Sequence, residues 1–101
     1  PEITAIAACN DLMALGAMHA AHERGLQVGV DLSITGFDDI PVAEYAHPPL
    51  TTVHQPIYEI GRRLTDLLIN LIMGEAQEET HILLSSSLIV RASTGHRRGG
   101  R

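Results

Sequence analysis

Two short apolar runs, Ile3 to Ala8 (ITAIAA) and Leu32 to Phe37 (LSITGF), flank a helical stretch, and this arrangement constrains the fold more than anything else in the sequence. The first run reads as a strand buried on both faces, the second as a buried strand that stops abruptly at Asp38-Asp39. Between them a helix is expected from Asp11 to Arg24. Asn10 or Asp11 can cap its first turn, and Gly25 ends it. Strand, helix and strand at this spacing form a βαβ unit, whose strands are parallel and whose crossover is right-handed. In such sheets ligands bind beyond the carboxyl ends of the strands. The polar steps Cys9-Asn10-Asp11 and Asp38-Asp39 therefore stand where recognition takes place.

The helix has only His19, His22, Glu23 and Arg24 as an evident polar face, so it should be covered on more than one side. A subunit interface and packing under another element of the same chain both satisfy that requirement. Gly36 lets a backbone or a ligand come close to the second strand. Beyond the acids, Pro41 opens a short helical turn, Pro48-Pro49 closes it, and Leu50 to His54 reads as another strand. Pro56 then stands in the first turn of a long helix. Its Ile57, Ile60, Leu64, Leu67, Leu68, Leu71 and Ile72 recur at steps of three and four and form one stripe to be buried. Gly74 ends that helix, EAQEE is a solvated loop, and His81 to Arg91 is a final extended segment interrupted by three serines. These are few elements to cover both faces of a parallel sheet, so the chain reads as part of a larger protein.

The net charge of −5 excludes a chain that grips nucleic acid by itself, which needs clustered positive charge. Three of the seven arginines lie in the last five residues, and the stretch His96 to Arg101 reads as a frayed, solvated tail. The one cysteine, Cys9, sits in the run IAAC and reads as a small buried hydrophobe suited to a reducing compartment. No apolar run approaches the roughly 20 residues that span a bilayer. The chain opens on Pro1, so the lack of an export signal says nothing of what precedes it.

His19 and His22 lie one helical turn apart without a third ligand, which leaves no case for a metal. No phosphate loop, nucleophile elbow or Cys-x-x-Cys motif occurs, and no cofactor is implied. Asp38 and Asp39 could form a general acid/base pair. Neighbours on an extended segment point to opposite sides, however, so one facing a ligand and one bracing the structure is the simpler arrangement. A carboxylate that accepts hydroxyl hydrogen bonds suits sugar recognition.

In order, CNDLMALGAMHAAHERGLQVG, DLSITGFDDIPVAEYAHPPLTTVHQP and LIVRASTG resemble the lactose/galactose repressor (LacI/GalR) family of bacterial transcription regulators, from about Ile6 to Thr94. The resemblance implies a periplasmic-binding-protein-like (type I) α/β fold. This is a doubly wound parallel sheet in which a carboxyl-terminal fragment contributes to both subdomains around a ligand cleft. Residues 1–95 would be the last part of the effector-binding and dimerisation domain, and 96–101 a disordered Arg/Gly tail. The chain would cross between subdomains near TTVHQP and again near the interrupted final strand. Matched position by position, Asn10 and Asp38 correspond to effector-binding residues. Ile57 stands where sugar-responsive relatives can carry an aromatic residue. Leu15, Met18, Tyr45 and Ala46 match the dimer interface. Asp39 would brace the turn into Pro41.

The implied protein is a cytoplasmic, non-enzymatic repressor that binds a small sugar or sugar-like effector and forms a homodimer. It would reach operator DNA only through an amino-terminal domain absent here, and it has no membrane partner. The rivals are a transport-type periplasmic sugar-binding protein on the same fold and an enzyme using Asp38 and Asp39.

Overall fold

The computed structural model describes residues 2–75 and 79–97. It divides into two compact units, one made of Pro1–His54 with Ser87–Arg101 and the other of Gln55–Ser86.

In the first unit, β1 (Ala5–Ala7) pairs in parallel with β2 (Ser33–Thr35) across the helix α1 (Asp11–Glu23), so the βαβ expectation holds. Parallel bridges Thr35↔Thr51 and Asp38↔His54 carry the order onward to β3 (Thr52–His54). The last strand, β4 (Ser87–Ile89), runs antiparallel to β3 with His54 opposite Ser87. The chain therefore leaves for the second unit and returns from it on adjacent strands.

The local signals explain how α1 begins and ends. Asn10 Oδ1 accepts the Met13 N–H at 2.9 Å, which satisfies one of the open amides of the first turn. At the other end Gly25 takes φ +74°, a left-handed value that costs glycine nothing. Its N–H reaches His22 O and that of Leu26 reaches Ala21 O, both at 3.0 Å, which is the Schellman arrangement. Asp11, Ala14, Met18 and Ala21, spaced by three and four, form the buried face. Its apolar members join Val28, Ile34, Ala43 and Leu50 in one core. Ile34 and Leu50 are fully enclosed, and each contributes on the order of 1.5–3 kcal/mol by leaving water.

Several expectations need correction. Helix α1 is covered on one face only within this chain, since Leu12 and Met13 on its other side are exposed. The first strand is three residues long, pairs along one edge with β2, and has all three residues exposed. Cys9 is exposed because the strand ends at Ala7 and the cysteine falls in the bend before α1. Pro41 does open a helical turn, a 3-10 helix over Pro41–Tyr45.

The second unit carries α2 (Ile57–Ile72), with Pro56 at its N-cap rather than inside the first turn. Gly74 closes it at φ +78°, as expected. Among the described residues none of the α2 stripe is buried, because the unit offers little besides residues 79–86 to lie against it. Leu64 is 64% exposed and Ile72 74%. The final extended segment shrinks to β4, so Ser85 and Ser86 fall at the boundary between the units rather than inside a strand. Within the EAQEE loop, residues 76–78 lie outside the described residues, as do 98–101 of the tail.

Candidate functional site

Three parallel strands end side by side, and each end carries polar side chains. Asn10 follows β1, Asp38 and Asp39 follow β2, and His54 closes β3. The Asp11 N–H donates to Phe37 O at 3.2 Å and the Asp38 N–H to Val53 O at 2.9 Å, so the ends are laced together through the backbone. Asp38 has φ 116° and Asp39 φ 59°. Aspartate tolerates the second value, whereas the first lies outside the ordinary left-handed basin for a side-chain-bearing residue. Such a conformation persists only where the surroundings enforce it.

Asp11 is part of that enforcement. It is 1% exposed, its Oδ1 accepts the Thr52 hydroxyl at 2.6 Å, and its Oδ2 accepts the Ile40 N–H at 2.7 Å. One buried carboxylate thus joins the first turn of α1 to the Asp38-Asp39 turn and to β3. Gly36 provides its room, since a Cβ there would fall 2.2 Å from Asp11 Oδ1 and 3.0 Å from Leu50 Cδ2. The close approach expected at Gly36 is therefore made by Asp11 and Leu50.

The Asp39 carboxylate faces two cationic or donor groups. Arg91 Nη1 donates to Oδ1 at 2.8 Å and also to Leu50 O at 3.0 Å, while His54 Nδ1 lies 2.9 Å from Oδ2. The Arg91 hydrogen bond holds the Asp39 pKa below the ordinary carboxylate value; partial burial opposes it and the His54 contact reinforces it. The brace expected of Asp39 toward Pro41 differs in its partners, because the Ile40 N–H goes to Asp11 while Asp39 reaches across to β3 and to the residue two beyond β4.

Of the residues singled out from the sequence, Asn10 and Asp38 come to neighbouring strand ends in the first unit, and both are half-buried. Ile57 opens α2 in the second unit and is 54% exposed. Met18, expected at a dimer interface, lies in the core with 3% exposure and has no surface left to offer a partner. Leu15 and Ala46 pack at the edge of the core, and Tyr45 is exposed. The long-range bonds of Asp11 and Arg91 are not legible in the sequence. The partners of Asp11 at Ile40 and Thr52 lie 29 and 41 residues away, and that of Arg91 at Asp39 lies 52 away, without a local motif announcing them.

The class defined by these features is an open α/β sheet domain with polar side chains gathered at the carboxyl ends of its parallel strands. The sequence profile of the periplasmic binding protein-like domain matches residues 1–94, and the chain belongs to that family. It is 45% identical over 91 residues to the transcriptional repressor CytR of Escherichia coli K12, covering 90% of this chain and 27% of CytR. The structure of the Lac repressor dimer bound to operator and the anti-inducer ONPF superposes with a TM-score of 0.82 at 42% identity, over 92% of this chain and 32% of that one. The complex of the regulator CelR with cellobiose superposes at 0.84 with 40% identity, over 92% of this chain and 28% of that one. The chain thus spans between about a quarter and a third of the length of these relatives. Among the described residues no helix is long and apolar enough to cross a membrane.

Proposed function

We propose that this chain is the carboxyl-terminal, effector-binding part of a LacI-type transcriptional repressor, residues 1–95 belonging to the effector-binding and dimerisation domain. Asn10 and Asp38 hydrogen-bond the hydroxyls of a small sugar-like effector, and the contact assigned to Ile57 rests on the family match alone. The protein acts in the cytoplasm, is not an enzyme, and dimerises through a surface that includes Leu15, Tyr45 and Ala46. Operator DNA is contacted by a domain outside this chain. Effector binding shifts a population between two arrangements of the domain and can do so only by its differential affinity for them.

The observation that carries this reading is the pairing of Asn10 and Asp38 at the ends of adjacent parallel strands, with Asp38 held at φ 116°. The named relatives are regulators, one of them solved with cellobiose, which favours a repressor over a transport protein on the same fold. The test is a calorimetric titration of the intact regulator with a panel of mono- and disaccharides. A sugar that binds the wild type and not Asp38→Ala supports the reading, and undiminished binding by Asp38→Ala removes Asp38 from the site.

A further inference from the structure

Asp39 links the turn that carries Asp38 to the two strands on which the chain leaves and re-enters the first unit. Its oxygens are divided between them: Oδ2 meets His54, the last residue of the outgoing strand, and Oδ1 meets Arg91, two residues beyond the returning one. Arg91 is fixed at both ends. Its N–H donates to Thr51 Oγ1 at 2.9 Å, and its guanidinium is shared between Asp39 and Leu50 O. The Asp39 and Arg91 side chains are only 15% and 18% exposed, so this pair is less screened than an ordinary surface pair, whereas His54 is half open to solvent. Asp38 precedes this clamp directly, in a backbone conformation that its own side chain does not favour.

We infer that Asp39, gripped by Arg91 and His54, is the positioning residue of the effector site, holding Asp38 in its positive-φ conformation from the crossover strands. The inference deepens the reading of Asp38 as an effector ligand and rests on it. Asp39 does not touch the effector. It fixes where the Asp38 carboxylate stands, so that its loss acts on affinity through geometry.

The test compares wild type, Asp39→Asn, Arg91→Gln and the double variant in the intact regulator. Hydrogen exchange is read over Phe37 to Val42 and over α1, and cellobiose affinity by calorimetry. The expected result is exchange about tenfold faster over Phe37 to Val42 in Asp39→Asn, with α1 unchanged. Arg91→Gln should match it, and the double variant should be no worse than the poorer single. The cellobiose Kd should rise about tenfold in Asp39→Asn. A general structural loosening would instead speed exchange in both segments and overturn the inference, as would unchanged exchange over Phe37 to Val42. Unchanged cellobiose affinity in Asp39→Asn would overturn it too. A wild type that binds neither cellobiose nor any other sugar of the panel would count against the sugar-effector reading, and the exchange measurement alone would then decide the clamp.

Discussion

Replacing Asp11 with alanine removes the carboxylate that joins α1, the Asp38-Asp39 turn and β3, and its cost can be worked from the contacts. Thr52 is fully buried, so its hydroxyl loses its acceptor without access to water, costing about 1–3 kcal/mol. The part-buried Ile40 N–H loses a charge-assisted bond, a further loss of about 1–2 kcal/mol. The negative charge in the first turn of α1 adds roughly 0.3–1 kcal/mol through the helix dipole. Against these stands the relief of no longer holding a carboxylate in the interior. The net expectation is a destabilisation of about 2–4 kcal/mol. Urea unfolding of the intact protein measures it, together with Thr52→Val and the double variant. In the double variant no orphaned hydroxyl remains, so its loss should fall short of the sum of the singles. A loss below about 1 kcal/mol for Asp11→Ala, or strict additivity, would refute the reasoning.

Gly36→Ala should cost a comparable amount, about 2–4 kcal/mol by the same urea assay, because its Cβ would meet Asp11 Oδ1 at 2.2 Å and Asp11 Cα at 3.1 Å. Asp39, whose pKa is lowered in the folded protein, contributes stability that is complete above the ordinary carboxylate range and is lost as pH falls through its lowered value. Wild type and Asp39→Asn should therefore differ most above about pH 5 and approach each other as pH falls below about 4 in acid unfolding. Residues 1–101 alone should self-associate, since Leu64, Leu68 and Ile72 of α2 are each more than half exposed. A monomer with a cooperative melt in sedimentation and calorimetry would contradict that.

Sequence pattern read well wherever the cause was local. The Asn10 cap, the Gly25 and Gly74 stops and the βαβ order depend on residues within a turn or on periodicity, and each stands where expected. It misled for β1, whose apolar character suggests burial on both faces although all three residues are exposed, whereas the open stripe of α2 is what a helix with little to bury against leaves. A stripe records what a segment requires, and the partner that meets the requirement need not lie in the same chain. The Asp38-Asp39 turn divides along the same line. Asp38 and Asn10 stood out as polar breaks after apolar runs. The residues that brace the neighbouring turn through Ile40 and Asp39, namely Asp11, Arg91 and His54, act through side-chain contacts bridging 15 to 52 residues, which no spacing rule encodes.

In the proposed mechanism Asp38 binds the effector, and that binding governs the operator-bound state. The most direct measurement is the release of the intact regulator from its operator as effector is added, for wild type and Asp38→Ala. Asp38→Ala is expected to bind the operator as wild type does without effector and no longer to respond to it. A wild-type response in Asp38→Ala would show that Asp38 does not bind the effector.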